Sequence, residues 1–156
     1  MDTGTFVALR PSSSSLDDLE RLQQIVKVSN PVPRALLHCT LVDSPKTMDG
    51  FKAIGNLCSG IFTIPSHLEV WSWEVKHECL VLVLCKEENI TLRHATLNST
   101  YEIPAPGYPF VPHITLAYGT ENDILRLISP SVVQSTIASI NFVEEYSINQ
   151  WSGYRA

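Results

Sequence analysis

Two tetrapeptides carry the residue types that do chemistry in this chain: His38-Cys39-Thr40-Leu41 and His113-Ile114-Thr115-Leu116. Each has the form His-x-Thr-apolar inside a short apolar run, Ala35-Leu36-Leu37 before the first and Val111-Pro112 before the second. If both runs are strands, alternation puts each His and its Thr on one face and turns Cys39 and Ile114 to the other. Two imidazoles and two hydroxyls could then converge on a single anion, which is the equipment for acid–base chemistry at a phosphodiester. A histidine with an ordinary pKa near ~6.5 suits either the basic or the acidic role close to neutrality. The competing reading, two histidines satisfied within the core, would leave two imidazoles and two hydroxyls in need of buried partners. Which histidine is base and which is acid is not legible from the sequence.

A third copy, His94-Ala95-Thr96-Leu97, lies in the polar run 87–98, whose apolar stripe consists of Ile90 and Leu97 with Leu92 and Ala95. That run reads as an exposed amphipathic helix, on which residues two apart diverge, so His94 is expected on the surface and outside any paired site. His67 and His77 read as a strand edge and a turn.

The elements that must position the motifs follow from periodicity. Residues 5–10 read as a strand. Ser12–Ser15 with Asp17, Asp18 and Glu20 make a cap and acidic first turn, and Leu16, Leu19, Leu22, Ile25 and Val26 recur at helical spacing, giving a helix over about 16–28. Asn30-Pro31-Val32-Pro33 breaks it, and residues 34–42 form the first motif strand. Met48, Phe51, Ile54 and Leu57 predict a second helix within 46–57. A strand over 67–75, a tight connection at 76–78, and the nearly continuous apolar run 79–86 follow. After the helix at 88–98 comes a proline-rich loop, 103–112, then the second motif strand at 112–119. A short helix over 122–128 and strands within 137–148 complete the chain. A helix precedes each motif strand, which predicts an α+β fold of two pseudo-symmetric lobes within a single domain, 1–156, facing each other across a cleft.

With 156 residues, 44% of them hydrophobic, the chain can bury one sizeable core. No stretch approaches the ~20 apolar residues of a membrane span, and the first residues lack a signal peptide's basic and apolar regions. The four cysteines, Cys39, Cys58, Cys79 and Cys85, have no metal-ligand spacing and suit a reducing cytoplasm. A net charge of −5 disfavours long nucleic acid, whose binders neutralise phosphate with a basic stripe. A nucleotide ligand would have to be small and enclosed. The sequence offers no carboxylate cluster for a metal, and no cofactor or obligate protein partner is expected.

Paired His-x-[Ser/Thr]-apolar motifs are the mark of the 2H phosphoesterases, and the chain resembles one subgroup, the phage-encoded anti-CBASS phosphodiesterases. The similarity runs through 5–11 (TFVALRP), Leu37–Leu41 followed by Asp43-Ser44-Pro45, and the segment from Cys79 through Arg93-His94 and Tyr101 into 112–118. It ends in 140–146 (INFVEEY) and Trp151. The first-strand aromatic is Phe6 where the family often has Tyr, and Trp71 and Trp73 compete for a mid-chain aromatic role.

The resemblance implies a two-lobed fold, with two antiparallel sheets forming a central cleft and helices outside. It implies metal-independent hydrolysis of 3′–5′ bonds in cyclic di- and trinucleotides, in the cytoplasm of an infected host, silencing its CBASS defence. His38, Thr40, His113 and Thr115 would be catalytic. Phe6, Tyr108 and Trp151 are candidates for stacking on bases, with core packing the competing role for Phe6 and Trp151. Glu145 could accept a hydrogen bond from an exocyclic amine, and Arg10, ahead of Arg34, could face phosphate. Two alternatives use the same residues: a 2H enzyme acting on 2′,3′-cyclic phosphates at RNA ends, and a non-catalytic cyclic-nucleotide sponge.

Overall fold

The computed structural model describes residues 4–74, 77–104, 107–119 and 128–151, with only the backbone of 73, 74, 77, 150 and 151. Of the helix expected over 122–128 only Ile128 is described; residue 76 of the connection expected at 76–78 and the side chains of His77 and Trp151 lie outside the described residues, while the backbone of 77 and 78 is strand rather than connection.

β1 (Gly4–Pro11) leads into α1 (Ser13–Val26). Ser12 caps α1, its hydroxyl accepting from the Ser15 amide, and the buried stripe of the helix includes Leu19, Leu22 and Val26. A single 3-10 turn at Arg34–Leu36 delivers the chain to β2 (Cys39–Ser44). β3 (Gly55–Thr63), β4 (Pro65–Glu74) and β5 (His77–Leu84) follow, then α2 (Glu88–Thr100) and β6 (His113–Tyr118). α3 (Pro130–Thr136) and β7 (Ile140–Trp151) close the described chain.

All strand pairings are antiparallel, in the order β3-β7-β1-β2-β6-β5-β4. The expectation of two separate sheets is thereby corrected. The two halves are one hydrogen-bonded series, but β2 and β6 share a single registered pair, Cys39↔Ile114. The middle residues of the two motifs are thus direct partners at the junction of the halves. Both are 0% exposed and belong to a continuous core that includes Leu9, Leu41, Leu80, Leu82 and Leu116.

The helix expected within 46–57 is absent: residues 45–54 carry no regular element, and β3 begins at Gly55. Gly50 and Gly55 adopt φ of 77° and 78°, which an α-helix does not accommodate. Met48 is buried and Phe51 packs on the core without helical geometry, whereas Ile54 is exposed. α3 precedes the strands expected within 137–148 and was not anticipated; Pro130 stands in its first turn, where a missing amide costs nothing.

Candidate active site

Alternation from the Cys39↔Ile114 pair turns His38, Thr40, His113 and Thr115 to the face opposite the core. The two imidazoles are oriented by one device. His38 Nδ1 donates to the carbonyl of Leu36 at 2.6 Å, and His113 Nδ1 donates to that of Val111 at 2.9 Å, each two residues earlier. With the proton on Nδ1, the neutral ring presents Nε2 as its basic nitrogen. His38 Nε2 lies 3.2 Å from Thr40 Oγ1, so the hydroxyl can donate to it.

Burial pushes the pKa of both histidines below the ordinary value. His38 is lowered further by the charges of His113 and Arg10, while the Leu36 carbonyl opposes the shift. Cys39, between the motif residues in sequence, is no nucleophile: burial pushes its thiol up to about 12.

Thr40 and His113 line the same cavity, of about 340 Å³, bounded by α2 and the loop ahead of β6. Trp71 stands in its wall with its ring 4.3 Å from that of His113 and tilted by 53°. Tyr108 lines the cavity too and is 73% exposed, so its ring face is available to a ligand. Asn98, Asp43 and Phe110 supply further polar and flat surfaces.

Other residues singled out from sequence fall differently. Phe6 is 3% exposed and meets His38 edge-on at 5.2 Å, so it packs against the imidazole and offers no open face for a base. Glu145 is 1% exposed: Arg93 Nε and Nη2 donate to its two oxygens at 2.8 and 3.0 Å, and the Ile54 amide donates at 2.9 Å. The amine-accepting role expected of Glu145 is corrected accordingly, because a base would have to displace Arg93 from a buried carboxylate. The cause is strand alternation. Glu145 is registered with the buried Leu9, whereas its neighbour Glu144 is registered with Arg10.

Arg10 donates from Nε to Glu144 at 2.8 Å and stacks over the Tyr146 ring at 4.5 Å, which puts a cation, a carboxylate and a phenol together on the His38 side. Arg34 instead pairs with Asp17 and Glu20 of α1. The backbone of Trp151 pairs with Gly4 at the end of β7.

His94 is a correction of a different kind. α2 is a helix and Thr96 is exposed, as expected, but His94 points inward. Its Nδ1 donates to the Leu41 carbonyl at 2.6 Å, Asn98 donates to its Nε2 at 3.0 Å, and its ring stacks on Phe110 at 3.8 Å. Ile90, His94 and Leu97 follow the i, i+4, i+7 spacing of a buried stripe, which was the available signal. Trp71 was one of two candidates for a mid-chain aromatic role, whereas Tyr146 had no signature of its own: an aromatic in a strand reads equally as core.

Solved structures of low sequence identity share this fold. Apo LigT of E. coli superposes with a TM-score of 0.60 at 16% identity, covering 94% of this chain and 87% of that one. Usb1 of Kluyveromyces marxianus superposes with a TM-score of 0.52 at 10% identity, covering 95% and 96%. Likeness at such identity concerns the fold. Sequence narrows it: residues 3–149 match the family described as Anti-CBASS protein Acb1. The proteins of that name from Enterobacteria phage T4 and Yersinia phage phiR1-RT are 37% and 35% identical over 121 and 120 residues, spanning 74% of this chain and 72% and 71% of theirs. The chain belongs to the anti-CBASS Acb1 family.

Proposed function

We propose that this protein is a phosphodiesterase that cleaves 3′–5′ bonds of cyclic di- and trinucleotides without a metal, and so counters CBASS antiphage defence inside the infected cell. The observation that supports the reading is the Cys39↔Ile114 pair, from which strand alternation would turn both His-Thr couples to one face. The name of the relatives, Anti-CBASS protein, supports the biological role. A 340 Å³ cavity beside Thr40 and His113 is of a size to enclose a nucleotide rather than a polymer.

A ribonucleotide diester carries its own nucleophile, the 2′-hydroxyl. One neutral imidazole takes its proton through Nε2, and the other, protonated, gives a proton to the departing 5′-oxygen. Thr40 and Thr115 donate to the non-bridging oxygens, more strongly as charge accumulates there. The first product is a 2′,3′-cyclic phosphate. Burial holds both imidazoles neutral in the free protein at neutral pH, and the bound diester anion supplies the opposite charge that favours protonating one of them. Arg10 adds to the opposition to charge on His38, which favours His113 as the acid and His38 as the base. Arg10 and Tyr146 bound the His38 side; Trp71 and Tyr108 offer stacking surfaces on the His113 side. The two pseudo-symmetric lobes of one domain each contribute one couple.

The test is a product assay in EDTA with 3′,3′-linked cyclic dinucleotides, cyclic triadenylate and an oligomer ending in a 2′,3′-cyclic phosphate. Cleavage of the cyclic dinucleotides or the trinucleotide, with their 2′-deoxy analogues resistant, is the expected result. Turnover of the oligomer only would make the protein an RNA-end enzyme. Tight binding without products would make it a sponge. Cleavage of a 2′-deoxy analogue would overturn the mechanism.

A further inference from the structure

Each motif threonine is followed by a break in its strand ladder. Between β1 and β2 the register runs Val7↔Val42 and then Ala8↔Thr40, so Leu41 is the extra residue of a bulge. Between β5 and β6 it runs Leu80↔Ala117 and then Val81↔Thr115, so Leu116 is the extra residue. The same position of both motifs, the apolar residue directly after the threonine, is therefore skipped by the neighbouring strand. A bulge re-aims the side chains beside it, and its extra residue lacks the ladder bond that would fix the backbone.

The carbonyls of these two residues are held from the opposite half of the molecule. His94 on α2, the helix ahead of the second motif, donates from Nδ1 to Leu41 O at 2.6 Å in the first motif. Gln23 on α1, the helix ahead of the first motif, donates from Nε2 to Leu116 O at 2.9 Å in the second. Both donors are set in place. Asn98 donates to His94 Nε2 and Phe110 stacks on its ring, while Gln23 is buried and also donates to Val32 O at 3.0 Å. The clamps are unequal, because the Val32 amide also donates to Leu116 O, at 2.9 Å.

We propose that His94 and Gln23 are positioning residues that pin the two bulges and thereby aim the hydroxyls of Thr40 and Thr115, each from the helix that precedes the other motif. The catalytic half of the inference rests on the threonine role given above; the structural half does not. His94 acts on Thr40 and Gln23 on Thr115, and His94 has the larger effect because Leu116 O keeps a second donor.

The test uses variants that keep shape and lose the donor. His94→Phe preserves the stack on Phe110, and His94→Asn returns an N–H near the place of Nδ1. Gln23→Met keeps the length of the side chain. Loss of a buried donor is expected to lower kcat about tenfold in His94→Phe, with KM within about twofold, and His94→Asn should recover most of it. In a Thr40→Val background, His94→Phe should change kcat by less than about twofold, since residues that act as a unit do not add. Independently of turnover, threonine methyl resonances of the full chain should respond selectively: Thr40 to His94→Phe and Thr115 to Gln23→Met. If the wild-type protein cleaves no cyclic nucleotide but the methyl pattern appears, the functional reading fails and the clamps stand. An unmoved Thr40 methyl, an equal kcat loss in both backgrounds, or no recovery with Asn would overturn the proposal. So would a His94→Phe chain that does not fold, combined with a Gln23→Met chain whose Thr115 methyl is unchanged.

Discussion

His38 and His113 are each fixed by a hydrogen bond from Nδ1 to the carbonyl two residues earlier, yet the surroundings of the two rings have little in common. His38 meets the edge of a buried Phe6, with Arg10, Glu144 and Tyr146 grouped on its side of the junction. His113 leans on Trp71 and opens onto a cavity whose wall includes the exposed ring of Tyr108. What the halves share is what any diester requires: a basic nitrogen, a hydroxyl and a bulge after it. What they do not share is charge on one side and flat apolar surface on the other, the features that would sort one nucleotide from another. Under the proposed function, bond cleavage belongs to the repeated parts and recognition to the unrepeated ones.

The strongest way to break this separation is to remove the repeated parts singly. His38→Ala and His113→Ala are each expected to lower kcat by about 10²–10⁴ while ligand affinity, read by calorimetry with a phosphorothioate analogue, changes little. A large loss from only one of the two would deny that both halves take part in the chemistry. Next come the hydroxyls: Thr40→Val and Thr115→Val should each cost about 10²–10³ in kcat, the scale of losing one donor to a developing oxyanion. Equal losses sharpen the comparison; an inert Thr115→Val would make the first motif the sole phosphate binder.

The acid–base pair can be read through pH. One imidazole must carry a proton, and burial lowers both pKa values below the ordinary one. Above that value the protonated fraction shrinks, so kcat/KM should fall by about tenfold per pH unit between pH 7 and 8.5. Activity that climbs with pH across that range would remove the acid from the scheme. The unrepeated parts carry the smallest effect. Trp71→Ala is expected to raise KM about tenfold with kcat nearly kept, whereas Phe6→Leu, which offers no open face, should leave KM within about twofold. A KM effect from Phe6 as large as that from Trp71 would erase the asymmetry.

Much of this was legible in the residues, and the misses have physical causes. The repeated tetrapeptides, the two helices ahead of them and the apolar run of β5 are marked by period and composition, which local chemistry dictates. Residues 46–57 read as a helix because four apolar residues at intervals of three fit one, while the positive φ of Gly50 and Gly55 that forbids it is a property of the folded backbone. Glu145 was misassigned by one position of strand register: its neighbours Glu144 and Tyr146 are the ones grouped with Arg10. His94 reads as a surface residue because its partner, the carbonyl of a bulged Leu41, exists only once β1 and β2 have paired. Tertiary pairing, rather than residue type, decided each of these.

The central claim is that both imidazoles serve one diester. Titrating the full-length protein with a non-cleavable phosphorothioate cyclic dinucleotide, while following the ring nitrogens of His38 and His113 by NMR, tests it most directly. Both sets of resonances should move along one binding curve, with at least one imidazole pKa raised by the bound anion and that of His113 above that of His38. Movement of one ring only, or pKa values unchanged at saturation, would contradict it.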